Sequence, residues 1–305
     1  MSQTPNIGNL DELVESITRK VVERLQQKGI SVDKATIAAC ISSGKECISC
    51  GHCATKKPEA VKNIVQSGAD RIGSKTGIDG AKIDVKMASM IDHTILKPDA
   101  TREQLIKVCE EAKEFGFATV CVNSSNIPLV ARQLKGSNVK PIAVVGFPLG
   151  AATSQAKAFE AKEAIRAGAQ EIDMVINIGA IKSKDYKTVY EDIKSVVDAS
   201  KPYKVKVIIE TSQLDEEEKV ISCALSKTAG AAFVKTSTGF QGGGATVEDI
   251  QLMRRVVGQD MEVKASGGIR TKEDAQKMIE AGADRIGASA SVSIVTGQES
   301  KKSGY

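Results

Sequence analysis

The sequence has no tryptophan, only two histidines, and few other rings, with four tyrosines and six phenylalanines in 305 residues. Two histidines cannot build a His-rich metal site, and so few aromatics leave little for stacking nucleic-acid bases. A charge excess of one sign is also lacking. The 42 Lys and Arg against 38 Asp and Glu leave +4, too small to argue for a nucleic-acid partner. No apolar run approaches the roughly 18 residues that span a bilayer. No apolar h-region opens the chain, so neither membrane insertion nor secretion is expected. What is present is ordinary for a globular chain: 41% hydrophobic and 26% charged residues, enough to bury a sizeable core. Seven cysteines, an odd number, read as thiols of a reducing, cytoplasmic compartment.

A regular beat runs from about residue 81 to 300. Short β-branched segments recur at Met90–Leu96, Ala118–Asn123, Ile142–Phe147, Glu171–Asn177, Lys204–Thr211, Ala231–Thr238, Glu262–Gly267 and Arg285–Ser289. Their ends lie 22 to 34 residues apart, room for one helix and two loops. Helices are expected at Ser154–Ala167, Tyr186–Ser200, Glu216–Ala229, Val247–Val257 and Lys272–Ala281. Ala167-Gly168-Ala169, Ala229-Gly230-Ala231 and Ala281-Gly282-Ala283 each precede a strand. Glycine there ends a helix in the left-handed conformation without a Cβ clash. Eight strands alternating with helices predict an α/β protein with a (β/α)8 TIM barrel over residues 81–305. An open doubly wound sheet is the alternative.

Charged residues fall on the predicted strands: Asp173 on the fourth, Lys206 on the fifth, Lys235 on the sixth, Lys264 on the seventh. In this barrel the C-terminal strand ends line the active site, and these residues are expected there. A single lysine can instead point outward and snorkel to water. Three on successive strands imply a purpose, because an unpaired ammonium inside a barrel is costly. Adjacent strands lie about 4.8 Å apart, so Lys235 and Lys264 are expected as neighbours. A like charge lowers an amine pKa, and a neutral amine is what forms an imine with an aldehyde. Ser266-Gly267-Gly268-Ile269 and Gly287-Ala288-Ser289 occupy the loops where barrels bind phosphate. Ser237-Thr238-Gly239 can add backbone N–H groups, whereas Gln241–Gly244 reads as flexible loop.

Residues 88–300 resemble the deoxyribose-phosphate aldolase family, class I aldolases. The resemblance is carried by Asp92-His93-Thr94, Cys121-Val122-Asn123, Glu171-Ile172-Asp173, Lys206-Val207-Ile208-Ile209-Glu210-Thr211, Phe233-Val234-Lys235-Thr236-Ser237-Thr238-Gly239, Lys264-Ala265-Ser266-Gly267-Gly268 and Gly287-Ala288-Ser289. It implies that Lys235 is the Schiff-base lysine, that Lys264 and Asp173 handle protons, and that Lys206 and Asp92 complete a charged network. It further implies substrate contacts from Cys121, Thr236, Gly239, Gly267, Gly268 and Ser289. Ala290 stands where many relatives carry a second serine. The implied reaction is reversible cleavage of 2-deoxy-D-ribose 5-phosphate to D-glyceraldehyde 3-phosphate and acetaldehyde, without metal or other cofactor, in a homo-oligomer. Another class I aldolase, or a silent sugar-phosphate-binding scaffold, are the competing readings.

Residues 1–80 differ. Asn9 and Glu12 form a capping box, and Leu10, Leu13, Val14, Ile17, Val21, Val22 and Leu25 recur at helical spacing until Gly29. An amphipathic helical extension is expected over residues 1–30. It resembles the encapsulation peptides of microcompartment cargo enzymes, which implies a shell protein as partner for residues 9–28 and a place inside a bacterial microcompartment. A helix that is simply buried is the alternative. Residues 31–80 read as a linker with a helix–strand unit, whose 68–73 repeats 282–287 residue for residue. Cys47, Cys50 and Cys53, with Cys40 or His52, are candidate soft-metal ligands, or else a reduced thiol loop. Tyr305, at the end of a polar tail, is expected to reach the site and deliver a proton to the enamine carbon, against the alternative of a dispensable terminus.

Overall fold

Parallel strands buried on both faces are nearly continuous runs of branched apolar residues. Here eight strands, several of them interrupted by charged residues, close into a ring in the computed structural model, which describes residues 84–297. They are β1 (Ile91–Thr94), β2 (Thr119–Asn123), β3 (Lys140–Val145), β4 (Glu171–Val175), β5 (Lys204–Ile208), β6 (Phe233–Lys235), β7 (Glu262–Ser266) and β8 (Arg285–Ala288). All neighbours pair in parallel, in sequence order, and β1 pairs with β8 to close the barrel. The expected (β/α)8 barrel is the observed one. The helix expected over residues 1–30, the 31–80 segment with its four cysteines, and Tyr305 lie outside the described residues. Among the described residues no helix is long and apolar enough to cross a membrane.

Local signals set the helix limits. Thr101 and Gln104 form a capping box at Arg102–Phe115, and Asp215 with Glu218 forms another at Glu216–Thr228. Helices Ser154–Arg166 and Lys272–Glu280 end one residue before Ala167 and Ala281, and the glycines that follow take φ +113° and +114°. At Gly168 a Cβ would stand 2.6 Å from Ala131 Cβ, so the turn needs glycine for space as well as conformation.

Most strands are shorter than the sequence suggests, β5 and β6 among them. β5 stops at Ile208, just before Glu210 adopts φ +57° and breaks the extended run, and β6 stops at Lys235. The Glu210 carboxylate then accepts from Thr238 N at 3.1 Å and from its hydroxyl at 2.5 Å, tying the two loops together.

Outward-facing strand residues such as Val120, Ile172, Val207, Val234 and Ile286 are fully buried or nearly so beneath the helices. One polar pair sits in that layer. Lys157, fully buried, donates to Asp192 Oδ2 at 2.6 Å and to the Val175 carbonyl at 2.9 Å, joining helix Ser154–Arg166 to helix Tyr186–Ser200. Removing one member of a buried pair strands the other. Asp192→Ala is therefore expected to cost about 3 kcal/mol, read as a lower urea midpoint with an unchanged slope. On the opposite side, His93 Nδ1 lies 2.9 Å from Ser291 Oγ and Nε2 lies 2.8 Å from Glu111. Ser291 Oγ also donates to Ala288 O at 2.9 Å, anchoring the end of β8.

Candidate active site

The barrel interior is divided. One arc is apolar, with Cys121, Ile142 and Val144 packed against Leu96 and Phe147. The rest is charged, because the inward positions of β4 to β8 and β1 hold acids and bases. Registers Asp173↔Lys206, Lys235↔Lys264 and Lys264↔Arg285 put these groups side by side. None of the lysines snorkels outward: Lys206 and Lys264 are at most 1% exposed and Lys235 3%.

Asp173 is the hub. Its Oδ2 accepts from Lys235 Nζ at 2.9 Å and from Lys264 Nζ at 2.8 Å, while Oδ1 accepts from Lys206 Nζ at 3.1 Å. Lys264 also reaches Asp92 Oδ2 at 2.5 Å. Burial opposes ionisation of both carboxyls, but the surrounding cations outweigh it and hold Asp173 and Asp92 well below the usual carboxylate range. Lys264 is pushed the other way. Burial disfavours its charge, yet Asp173 and Asp92 together raise it above an ordinary lysine. For Lys235 burial prevails over its hydrogen bond to Asp173, and the charge of Lys264 adds to the effect, so its amine is easier to deprotonate. The coupling expected between the two lysines is thus present at Lys235, second to burial among the effects that lower it, and it is Asp173 and Asp92 beside Lys264 that give the two lysines opposite shifts.

The expectation that all the charged residues sit at strand C-termini needs correction. Lys235 is the last residue of β6, whereas Asp173, Lys206 and Lys264 are central in their strands and lie deeper. Of these and Asp92, Lys235 alone lines the open cleft, a cavity of about 490 Å³ at the C-terminal face. The same cleft is lined by Gly239, Gly267, Gly268 and Ser289. Gly267 and Gly268 both have positive φ, +86° and +78°; successive amides in such a turn form a concavity suited to anions.

Other expected contacts fall elsewhere. Thr236 is fully buried because it follows an inward lysine and strand side chains alternate. Its hydroxyl donates to Ser266 O and accepts from Ser266 N, so it joins two loops rather than facing the cleft. Cys121 lies beneath the cleft, fully buried, its thiol pushed up to about 11 first by burial and then by Asp173. The Thr238 N–H is taken by Glu210 and is not available to a ligand.

The Gln241–Gly244 run is not merely a loose loop. Gly243 lines the cleft, and Ala245 N donates to Gly267 O at 3.0 Å. A Cβ on Gly244 would stand 2.5 Å from that carbonyl oxygen. Gly244→Ala is accordingly expected to displace the Gly267-Gly268 turn. KM for a phosphorylated substrate should rise about tenfold, roughly 1.4 kcal/mol, while imine trapping by unphosphorylated acetaldehyde stays at the parent level.

Sequence reasoning passed over four residues. Lys97 and Arg270 line the cleft beside the glycine turns and bring positive charge where an anion would sit. Glu171 and Arg285 join the charge cluster from its closed end. For Glu171 the signal was its two-residue spacing from Asp173, which puts both on one face of a strand.

Comparison with known proteins matches this architecture. A model of the DeoC/LacD family aldolases matches residues 86–299, from before β1 to beyond β8. A deoxyribose-phosphate aldolase of Clostridium novyi is 60% identical over 216 residues, covering 70% of this chain and 97% of that protein. The deoxyribose-phosphate aldolase of Listeria welshimeri is 60% identical over 217 residues, covering 71% and 97%. Among solved structures, the tetrameric deoxyribose phosphate aldolase of Aeropyrum pernix superposes with a TM-score of 0.65 at 34% identity, covering 77% of this chain and 96% of that one. With a family model matched over residues 86–299 and 60% identity over 216 residues, the chain belongs to the DeoC/LacD family of aldolases.

Proposed function

We propose that this protein is a class I aldolase that reversibly cleaves 2-deoxy-D-ribose 5-phosphate to D-glyceraldehyde 3-phosphate and acetaldehyde. The observation that carries the reading is one buried amine, Lys235, at the floor of an open cleft, with a lowered proton affinity and glycine turns nearby. Lys235 adds to the aldehyde carbon, and loss of water gives an iminium that acts as an electron sink. A base withdraws the proton of the third-carbon hydroxyl. The bond between the second and third carbons then breaks, its electron pair neutralising the iminium as an enamine. Asp173, held ionised by the ammonium groups of Lys206 and Lys264, and Lys264 itself relay that proton. Protonation of the enamine carbon and hydrolysis release acetaldehyde and restore the amine. The phosphate is assigned to Gly239, Gly267, Gly268 and Ser289, with Lys97 and Arg270 adding charge.

Borohydride reduction in the presence of acetaldehyde, followed by peptide mapping, tests the reading. A two-carbon adduct on Lys235 is expected, and the absence of any adduct would remove imine chemistry from this cleft. Production of glyceraldehyde 3-phosphate from the named sugar then separates this substrate from those of other class I aldolases.

The reading also includes a homo-oligomer in the cytoplasm, supported by the reduced-thiol composition and the family. For residues 9–28 the amphipathic pattern supports attachment to a microcompartment shell. Fusing residues 1–30 to a fluorescent protein tests it; diffuse fluorescence in cells assembling the cognate shells would reject it.

A further inference from the structure

Six charges inside the barrel form a closed ring of alternating sign. Asp92 meets Lys264 at 2.5 Å, Lys264 meets Asp173 at 2.8 Å, and Asp173 meets Lys206 at 3.1 Å. Lys206 is hydrogen-bonded to Glu171, Glu171 lies 3.7 Å from Arg285, and Arg285 returns to Asp92 at 2.7 Å. Three carboxylates thus balance three cations. Lys235 hangs from the ring as a seventh member through a shared oxygen, Asp173 Oδ2. The ring is neutral without it.

We propose that Arg285 and Glu171, at the closed end of the barrel, are positioning residues for the imine-forming step, setting a charge balance in which Lys235 has no carboxylate counterpart of its own. Neither touches the cleft, so both act through the ring. The inference rests on the reading of Lys235 as the imine-forming lysine.

Other groups around the ring do not upset the count. From β2, Thr119 donates to Asp92 Oδ1 at 2.7 Å and the Cys121 thiol stays protonated to about 11; both are neutral. From β3, Lys140 approaches Glu171 only to 3.8 Å and is half exposed, where water screens it. From β5 and β7, Lys204 and Glu262 pair with each other at the rim. Phe233 on β6 packs below, with Lys206 and Arg285 at 5.2 and 5.5 Å from its ring centre. Proton affinities follow the same division. Burial opposes charge on Lys206, Lys264 and Arg285, but their acidic partners raise all three, whereas Lys235 is lowered.

The test is the rate of acetaldehyde adduct formation on Lys235 across a pH series, quenched with borohydride. An ammonium cannot attack, so the acid limb of this rate follows deprotonation of Lys235. Arg285→Gln leaves the ring with an excess negative charge, and the limb is expected to move up by about one pH unit. Glu171→Gln leaves excess positive charge, and the limb moves down by a similar amount. Arg285→Lys, which keeps the charge, returns the limb towards the parent position. Unmoved limbs in Arg285→Gln and Glu171→Gln overturn the inference while the adduct on Lys235 still supports the aldolase reading. An Arg285→Lys limb displaced as far as that of Arg285→Gln also overturns it, because shape rather than charge would then be responsible. If Arg285→Gln does not fold, the near-isosteric Glu171→Gln decides: no downward shift rejects the proposal. An adduct on another residue of the parent protein would instead remove the reading beneath it.

Discussion

Lys235→Ala is expected to lower kcat/KM for aldol cleavage by at least about 10⁴-fold, the scale seen when a covalent nucleophile is deleted. The fold should persist, because Asp173 keeps its hydrogen bonds from Lys206 and Lys264 and no carboxylate is left unpaired. Loss of the borohydride-trapped adduct with unchanged circular dichroism is the measurement that checks it. An adduct formed at parent stoichiometry in this variant would show that another amine does the chemistry.

Lys264→Leu is expected to be nearly as damaging, for two separable reasons. The first is loss of a proton carrier 2.8 Å from Asp173, worth on the order of 10²–10⁴-fold. The second is electrostatic and has a definite sign. Lys264 disfavours the protonated form of Lys235, so its removal lets Lys235 hold its proton to higher pH. The acid limb of the pH–rate profile should therefore move up, even at pH values where the residual rate is small. An unchanged limb would mean that burial alone sets the amine of Lys235. Two carboxylates, Asp92 and Asp173, lose a shared partner in this variant, so lower thermal stability is expected alongside.

Arg285 and Glu171 extend the same logic to the closed end of the barrel. Their positions also explain why the cluster tolerates burial. Each carboxylate oxygen that would be stranded is met by a cation or by Thr119, and buried charge survives when it is paired and hydrogen-bonded. Of the lysines in this buried cluster, Lys235 alone lines the cleft, and it is the one that must react.

Much of this protein was legible from sequence alone. Helix Tyr186–Ser200 and helix Val247–Val257 have the limits their periodicity suggests, because capping residues and apolar spacing act over four or five positions. The strand order, the glycine turns after β7 and β8, and the lysines on three consecutive strands also follow from local pattern and the beat of the barrel. What the sequence could not decide was depth. Whether a strand residue sits at the rim or the middle depends on strand tilt and on where a neighbour's ladder ends, as Glu210 shows by cutting β5 short with its left-handed backbone. Thr236 lies next to a cleft residue in sequence and yet faces away from the cleft. Arg285 and Asp92, 193 residues apart, meet only because β8 closes onto β1. That closure pairs charges no local signal connects, and it made a ring of six alternating charges whose remainder is Lys235.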